Sequence, residues 1–217
     1  MVTVPEATKN IISKSPYLSE AFELGIVNSS SLARLIKSDL ENELQKEISD
    51  ASIIMAINRL QKSFTTTHSK ITTDETPELI VRSNIFFITI LNRQSLYAKI
   101  QTMFENVTKI DKKFFFTFTE GISETTIVAS EDLFSLIKSN LKGEVVLAEK
   151  TKLSSITIRL SEKTENTPGI FYYYLKVLAW EGISVVDLVS TSNEFNIIVE
   201  DSEVEKAFSV LKSHFNQ

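Results

Sequence analysis

The sequence has no cysteine and only two histidines, His68 and His214. Without cysteine the chain has no disulfide, no thiolate nucleophile and no cysteine-based zinc or iron–sulfur site. Neither histidine has a carboxylate or a second histidine at metal-ligand spacing, so a histidine base or metal site is not expected. We therefore expect a non-enzymatic protein with no catalytic residue, no metal and no cofactor.

Glycine is also scarce, with five residues in the chain. Four of them mark helix ends or a hairpin, and the fifth, Gly169, follows Pro168 where a helix starts. No glycine remains for a phosphate-binding loop, and neither the Walker nor the dinucleotide fingerprint occurs. Nucleotide chemistry is therefore disfavoured.

Long apolar runs and a basic charge balance are missing as well. The net charge of −5 gives no general attraction to nucleic acid or to an anionic membrane. No apolar run approaches the roughly 20 residues that a membrane helix needs, and the start of the chain lacks the pattern of a secretory signal. We expect a cytoplasmic protein with no membrane partner.

Residues 1–77 are predicted to form a helical domain. Apolar residues at steps of three and four predict three helices, the first broken near Pro16, the second capped between Asn28 and Ser31, the third capped by Ser49 or Asp50. A stretch rich in threonine and serine follows, and residues 78–83 read as a short strand.

This order of elements resembles a winged helix-turn-helix, with a wing within residues 63–83. The second helix of such a unit would enter the DNA major groove. That helix offers Asn58, Arg59 and Lys62, but acidic residues precede it, and DNA readers need several phosphate-contacting cations. The alternative is an oligomerisation or partner-docking module.

The rest of the chain repeats one order of elements: strand, helix, strand, strand, helix. This order predicts an α+β fold, with two ferredoxin-like βαββαβ modules at residues 78–152 and 153–217. In the second module we place strands at 155–160, 184–189 and 195–199, and helices at 168–180 and 202–215.

The second module carries the most specific motif. Thr167-Pro168-Gly169 follows a strand, Gly182-Ile183 closes the next helix, and Ser190-Thr191-Ser192 joins two strands. This segment strongly resembles the C-terminal ACT domains of aspartokinases, and the first module resembles them more weakly. Because the kinase domain is absent, the resemblance implies regulation and not phosphoryl transfer.

The resemblance also implies an effector site between modules packed side by side. The amides at a helix start suit a carboxylate, Asn166 can hydrogen-bond in both senses, and Asp187 could meet an ammonium group. The predicted ligand-binding residues are Asn166, Thr167, Pro168, Gly169 and Asp187. The alternative is that Pro168 and Gly169 only form a tight turn and Asp187 is solvated.

In the first module the equivalent loop is Asn92-Arg93-Gln94-Ser95. It lacks the Pro-Gly pair, so we expect less ligand capture there. Further along the chain, Tyr172, Tyr173 and Tyr174 stand in a row on a predicted helix, so at least one must lie at an edge or interface.

Our leading hypothesis is an allosteric sensor of an amino acid that self-associates through its ACT modules as a homo-oligomer. One alternative is a transcription regulator that uses the winged-helix-like domain on DNA. The other is a free-standing regulatory or scaffold subunit of an amino-acid biosynthetic enzyme.

Overall fold

The computed structural model describes residues 2–61, 76–110, 114–161 and 167–215. The chain divides into two compact units, Met1–Lys70 and Ile71–Gln217. The predicted boundaries after residues 77 and 152 stay predictions.

The described part of the first unit contains four helices, not the three predicted. The first apolar stripe is divided in two, because Pro16 cannot continue a helix and instead begins the next one. Ser15 has an extended backbone between them, and its hydroxyl accepts a hydrogen bond from the amide of Leu18 at 3.4 Å. The helices are α1 (Val4–Lys14), α2 (Pro16–Glu23), α3 (Ser29–Leu44) and α4 (Asp50–Gln61).

The predicted caps of α3 and α4 are confirmed. Asn28 accepts from the amide of Ser31 at 2.9 Å through its side chain, and the hydroxyl of Ser49 accepts from the amide of Ser52 at 3.3 Å. Side chains from all four helices and from Ile48 form one buried core: Ala7, Ile12, Phe22, Leu32, Ala33, Ile36, Leu40, Ile48, Ile53 and Ile57.

The second unit is built on one six-stranded sheet in which every neighbouring pair is antiparallel. The strands are β1 (Leu79–Leu91), β2 (Phe116–Glu120), β3 (Glu124–Ser130), β4 (Val146–Arg159), β5 (Asp187–Ser190) and β6 (Glu194–Glu200), in the order β2-β3-β1-β4-β6-β5. The helices are α5 (Gln94–Thr108), α6 (Phe134–Asn140), α7 (Ile170–Trp180) and α8 (Val204–Phe215). The prediction of helices combined with antiparallel strands is confirmed.

The two central strands, β1 and β4, each serve both halves of the sheet. The later part of β1 pairs with β3, whereas its first residues, from Leu79 to Arg82, pair with Ile158 to Ser155 of β4. The strand predicted at residues 78–83 therefore lies beside the first strand of the second half. Residues 62–75 of the predicted wing lie outside the described residues, so the wing stays a prediction.

Each half of the sheet has its own core. The core of the first half includes Ile88 and Ile127 and is covered by α5 and α6, and that of the second half includes Ile156 and Ile197 and is covered by α7 and α8. Leu79 packs against the second core, in agreement with its strand partner. A third, smaller cluster joins the two halves: Ile85, Val128, Leu153 and Ile198.

Within the described ranges, no helix is both long enough and apolar enough to cross a membrane.

Candidate effector site

The predicted Pro-Gly motif forms a tight turn at the start of α7. The carbonyl oxygen of Thr167 accepts from the amide of Ile170 at 3.2 Å, which closes a four-residue turn. Gly169 occupies the third position with φ +85° and ψ 5°, and proline precedes it. This is the geometry of a type II turn, in which the third residue needs a positive φ and is usually glycine.

The helix was predicted to begin with Pro168 in its first position, and this detail is wrong. It begins at Ile170, because the left-handed backbone of Gly169 cannot be part of a right-handed helix. The carbonyl of Gly169 still accepts from the amide of Tyr173 at 2.9 Å, so the turn leads directly into the helix.

Two other segments lie close to this turn. The rings of Phe171, in the first turn of α7, and Phe195, at the start of β6, have centroids 4.5 Å apart. The amide of Leu160, just after β4, donates to the carbonyl of Asn193 in the β5–β6 hairpin at 2.8 Å. The start of α7, the end of β4 and this hairpin therefore meet at one end of the second half.

A cation at this end of the sheet was missed by the sequence analysis. Arg159 is the last residue of β4, and its guanidinium lies 2.9 Å from Glu78 and 3.9 Å from Glu194. The three side chains are between 38% and 57% exposed. At that exposure the ion pairs contribute little to stability. The sequence gives no local sign of this cluster, because Arg159, Glu78 and Glu194 come from three different strands or strand ends.

Asn166, which precedes Thr167 in the predicted loop site, lies outside the described residues. Asp187 is the first residue of β5, and its carboxylate accepts from the amide of Leu188 at 2.8 Å. Burial raises the pKa of Asp187, and the hydrogen bond from that amide partly offsets the rise.

The sheet register separates Asp187 from the turn. Asp187 pairs with Ile198, three residues along β6 from Phe195, a distance of roughly 10 Å along a strand. Cross-strand partners share a face, and Ile198 belongs to the cluster that joins the halves, whereas Phe195 lies in the core under α7. The turn and Asp187 are thus on opposite faces of this half, so one ligand does not touch both within the same half.

The equivalent helix start in the first half is closed by its own side chains. The amide group of Asn92 donates to the carbonyl of Gly121 at 2.9 Å and accepts from the hydroxyl of Thr125 at 2.6 Å. One residue later Arg93 precedes α5, so the connection from strand to helix is far shorter than residues 160–169 of the second half.

A buried carboxylate also lies against the first turns of α5. One oxygen of Glu144 is 2.6 Å from the ammonium group of Lys99, and the other accepts from the hydroxyl of Ser95 at 3.2 Å. The side chain of Glu144 is only 2% exposed. The hydrogen bond from Lys99 lowers the pKa of Glu144, so it is a carboxylate at neutral pH.

No known protein-family model and no curated protein matches the sequence. Solved structures do resemble it. Aspartate kinase from Clostridium acetobutylicum matches with a TM-score of 0.54 and 15% identity, over 69% of this chain and 37% of the enzyme. Aspartokinase III from E. coli, in complex with aspartate and ADP, matches with a TM-score of 0.51 and 14% identity, over 66% of this chain and 35% of the enzyme.

The regulatory subunit of aspartate kinase from Thermus thermophilus, in a ligand-free form, matches with a TM-score of 0.52 and 10% identity. That match covers 64% of this chain and 97% of the subunit, whereas the chain spans little more than a third of the two kinases. At these identities the likeness is one of fold, and it confirms the resemblance to aspartokinase regulatory domains. Over nearly two thirds of its length, this chain has the fold of an aspartokinase regulatory subunit.

Proposed function

We propose that this protein is a non-catalytic regulatory protein that senses an amino acid through two ACT modules, the two halves of its six-stranded sheet. The observation that carries the proposal is the type II turn from Thr167 to Ile170, placed at the start of α7 on an aspartokinase regulatory fold. Such a turn brings main-chain amides to a helix start, where a carboxylate is stabilised by the helix dipole.

The ammonium group of the same ligand needs an anionic partner, and Asp187 supplies one from a second copy of the chain. Self-association is supported by the edge of the second half. Within the described residues β5 pairs only with β6, so its outer edge is open. On the adjacent helix α7, Phe171, Tyr172 and Trp180 are exposed by 42%, 47% and 79%. An open strand edge beside exposed aromatic side chains is typical of an association surface.

Ligand binding at such an interface would favour one arrangement of the copies over another. The helical unit of residues 2–61 would then respond through a shift in population between the arrangements. This is the regulatory output that we assign to the chain.

The helical unit gives little support for the DNA-binding alternative. Residues 2–61 contain six lysines and arginines against eight aspartates and glutamates. Asn58, one of the predicted base readers on α4, already accepts from the hydroxyl of Ser29 at 2.6 Å. Phosphate contacts need a cationic surface, and this balance of charge opposes one.

A thermal-shift screen of the whole protein against the twenty amino acids tests the proposal. A ligand that binds only the folded state at a hundredfold excess over its Kd stabilises it by about 2.7 kcal/mol, which corresponds to a rise in Tm of roughly 5–10 °C. A dose-dependent rise with one amino acid or a few related ones supports the sensor. No rise with any of them at millimolar concentration contradicts it.

Variants then locate the site. The double variant Asn166→Ala with Asp187→Ala should abolish the rise in Tm caused by the ligand. Arg93→Ala, at the equivalent helix start of the first half, is the matched control and should leave it unchanged. An unchanged response in the double variant would move the site elsewhere.

A further inference from the structure

We propose that Glu144 is a built-in carboxylate ligand of the first half, held where the second half would hold the carboxylate of an effector. The consequence, which rests on the proposed function, is that each chain has one effector site and not two. The first half is then a permanently occupied copy of the module.

The carboxylate of Glu144 is bound as a ligand would be. Both oxygens have a partner, Lys99 at 2.6 Å and Ser95 at 3.2 Å, and both partners lie in the first two turns of α5. Lys99 also donates to the carbonyl of Lys142 at 2.7 Å, which fixes its ammonium group beside the loop. Only 2% of the Glu144 side chain is exposed, so its carboxylate is largely shielded from solvent.

Glu144 lies just before the start of β4, where the chain pairs with the end of β1. The equivalent place in the second half lies just before the start of β1, where the chain pairs with the end of β4. In the first half the amide of Leu91 donates to the carbonyl of Val145 at 2.9 Å, and in the second half the amide of Arg159 donates to the carbonyl of Glu78 at 3.0 Å. Val145 therefore corresponds to Glu78, and Glu144 corresponds to Pro77. Proline has no carboxylate, so the second half does not repeat this internal ligand.

The residues that follow β1 and β4 also differ between the two halves: the first half has a polar residue, Asn92, where the second half has Leu160. The amides of Asn92 and Leu160 donate to equivalent hairpin carbonyls, those of Ser123 and Asn193. Asn92 has a polar side chain that ties the hairpin to the helix start, whereas Leu160 packs in the core of the second half. The first half is thus closed at this place by the polar contacts of Asn92.

Chemical rescue with acetate tests the assignment without knowledge of the effector. Glu144→Ala leaves Lys99 and Ser95 facing a gap of carboxylate size, so the Tm should fall by roughly 5–10 °C. Acetate should restore part of this loss when compared with potassium chloride at the same ionic strength. The wild type, with its site filled, should show no such difference between acetate and chloride.

Two further variants make the result decisive. Glu144→Ala combined with Lys99→Met should lose the acetate response, because the cation is gone. Glu144→Gln keeps the shape and should fold even where Glu144→Ala does not, with a lower Tm than the wild type and no acetate response. An unchanged Tm in Glu144→Gln, or equal acetate effects in all four proteins, would overturn the assignment.

Calorimetric titration with the amino acid that gives the largest rise in Tm tests the number of sites. We expect one ligand per chain, and two per chain would overturn the inference. If no amino acid binds, the proposed function fails, whereas the acetate experiment still decides the role of Glu144.

Discussion

Asn84 in β1 and Lys152 in β4 immediately precede the paired residues Ile85 and Leu153, and both have a left-handed backbone, with φ +59° and +58°. The register of β1 against β4 shifts between Arg82 and Ile85, so each long strand is interrupted where it passes from one half of the sheet to the other. The two interruptions are related by the same approximate symmetry that relates the halves. A left-handed backbone costs a side chain such as lysine more than it costs asparagine.

Replacing Lys152 with glycine should therefore stabilise the protein. We expect Lys152→Gly to raise the free energy of unfolding by about 1 kcal/mol, and Asn84→Gly to change it less, because asparagine tolerates this conformation. Lys150→Gly is the control, since Lys150 has a regular strand partner in Phe87, and there glycine should destabilise. Denaturant unfolding measures all three, and destabilisation by Lys152→Gly would contradict the expectation.

The sequence predicted the local elements well because their signals are local. The Pro16 break and the Asn28 cap both lie within a few residues of the feature they specify. Pairing between Leu79 and Ile158 joins residues far apart in the chain, and no periodicity in either strand indicates which partner it takes. For that reason the sequence did not indicate which strand pairs with residues 78–83.

The candidate site was predictable to the same extent. The Pro168-Gly169 pair predicted a tight turn at a helix start, because proline and glycine fix that backbone geometry locally. The face on which Asp187 lies depends on its register with Ile198, and the burial of Glu144 depends on Lys99 and Ser95 in another element. The residues next to Asp187 and Glu144 in the sequence therefore do not indicate the face of the first or the burial of the second.

Asp187→Asn should stabilise the protein at neutral pH. Burial raises the pKa of Asp187 above its ordinary value of 3.8, so the folded state holds the proton more tightly than the unfolded state does. The wild type consequently loses stability as the pH rises from about the ordinary pKa through the raised one. The variant carries no charge, so its Tm should exceed that of the wild type at neutral pH, and the difference should vanish below the ordinary pKa.

A series of unfolding curves from acidic to neutral pH checks this prediction. Asp39→Asn replaces an exposed carboxylate on α3 and should give a Tm that follows the wild type across the series. If Asp187→Asn were the less stable protein at neutral pH, burial would not be the main influence on this carboxyl group.

Tyr174→Phe should also stabilise the protein. Among the described residues the hydroxyl of Tyr174 is buried and has no hydrogen-bond partner, and its ring packs against those of Phe195 and Phe215. Removing a buried, unsatisfied hydroxyl is worth roughly 1 kcal/mol. Tyr97→Phe is the contrast, because the hydroxyl of Tyr97 donates to Glu120 at 2.6 Å at the surface and its loss should not stabilise.

The advantage of Tyr174→Phe should grow in alkali. Burial raises the pKa of Tyr174 from 10.0 to about 12, so between these values the unfolded state loses the proton and the folded state keeps it. The wild type therefore loses stability above pH 10 through the titration of Tyr174. The phenylalanine variant has no hydroxyl at this position and does not lose that stability. If the difference in free energy of unfolding between the two proteins stayed constant above pH 10, this would contradict the burial of the hydroxyl.

Gly169→Ala separates a structural role of the turn from a ligand-binding role. Among the described residues no atom lies within 4 Å of a Cβ added at Gly169. The cost of Gly169→Ala therefore comes from the φ of +85° and is about 1 kcal/mol. Gly182, at the other end of α7, is a matched control with φ +71° and equally open surroundings. Gly169→Ala and Gly182→Ala should therefore lower the Tm by similar amounts. Only Gly169→Ala should weaken the binding of the amino acid found by thermal shift, because it alone alters the turn that presents the amides, and equal affinities in the two variants would exclude the turn as the site.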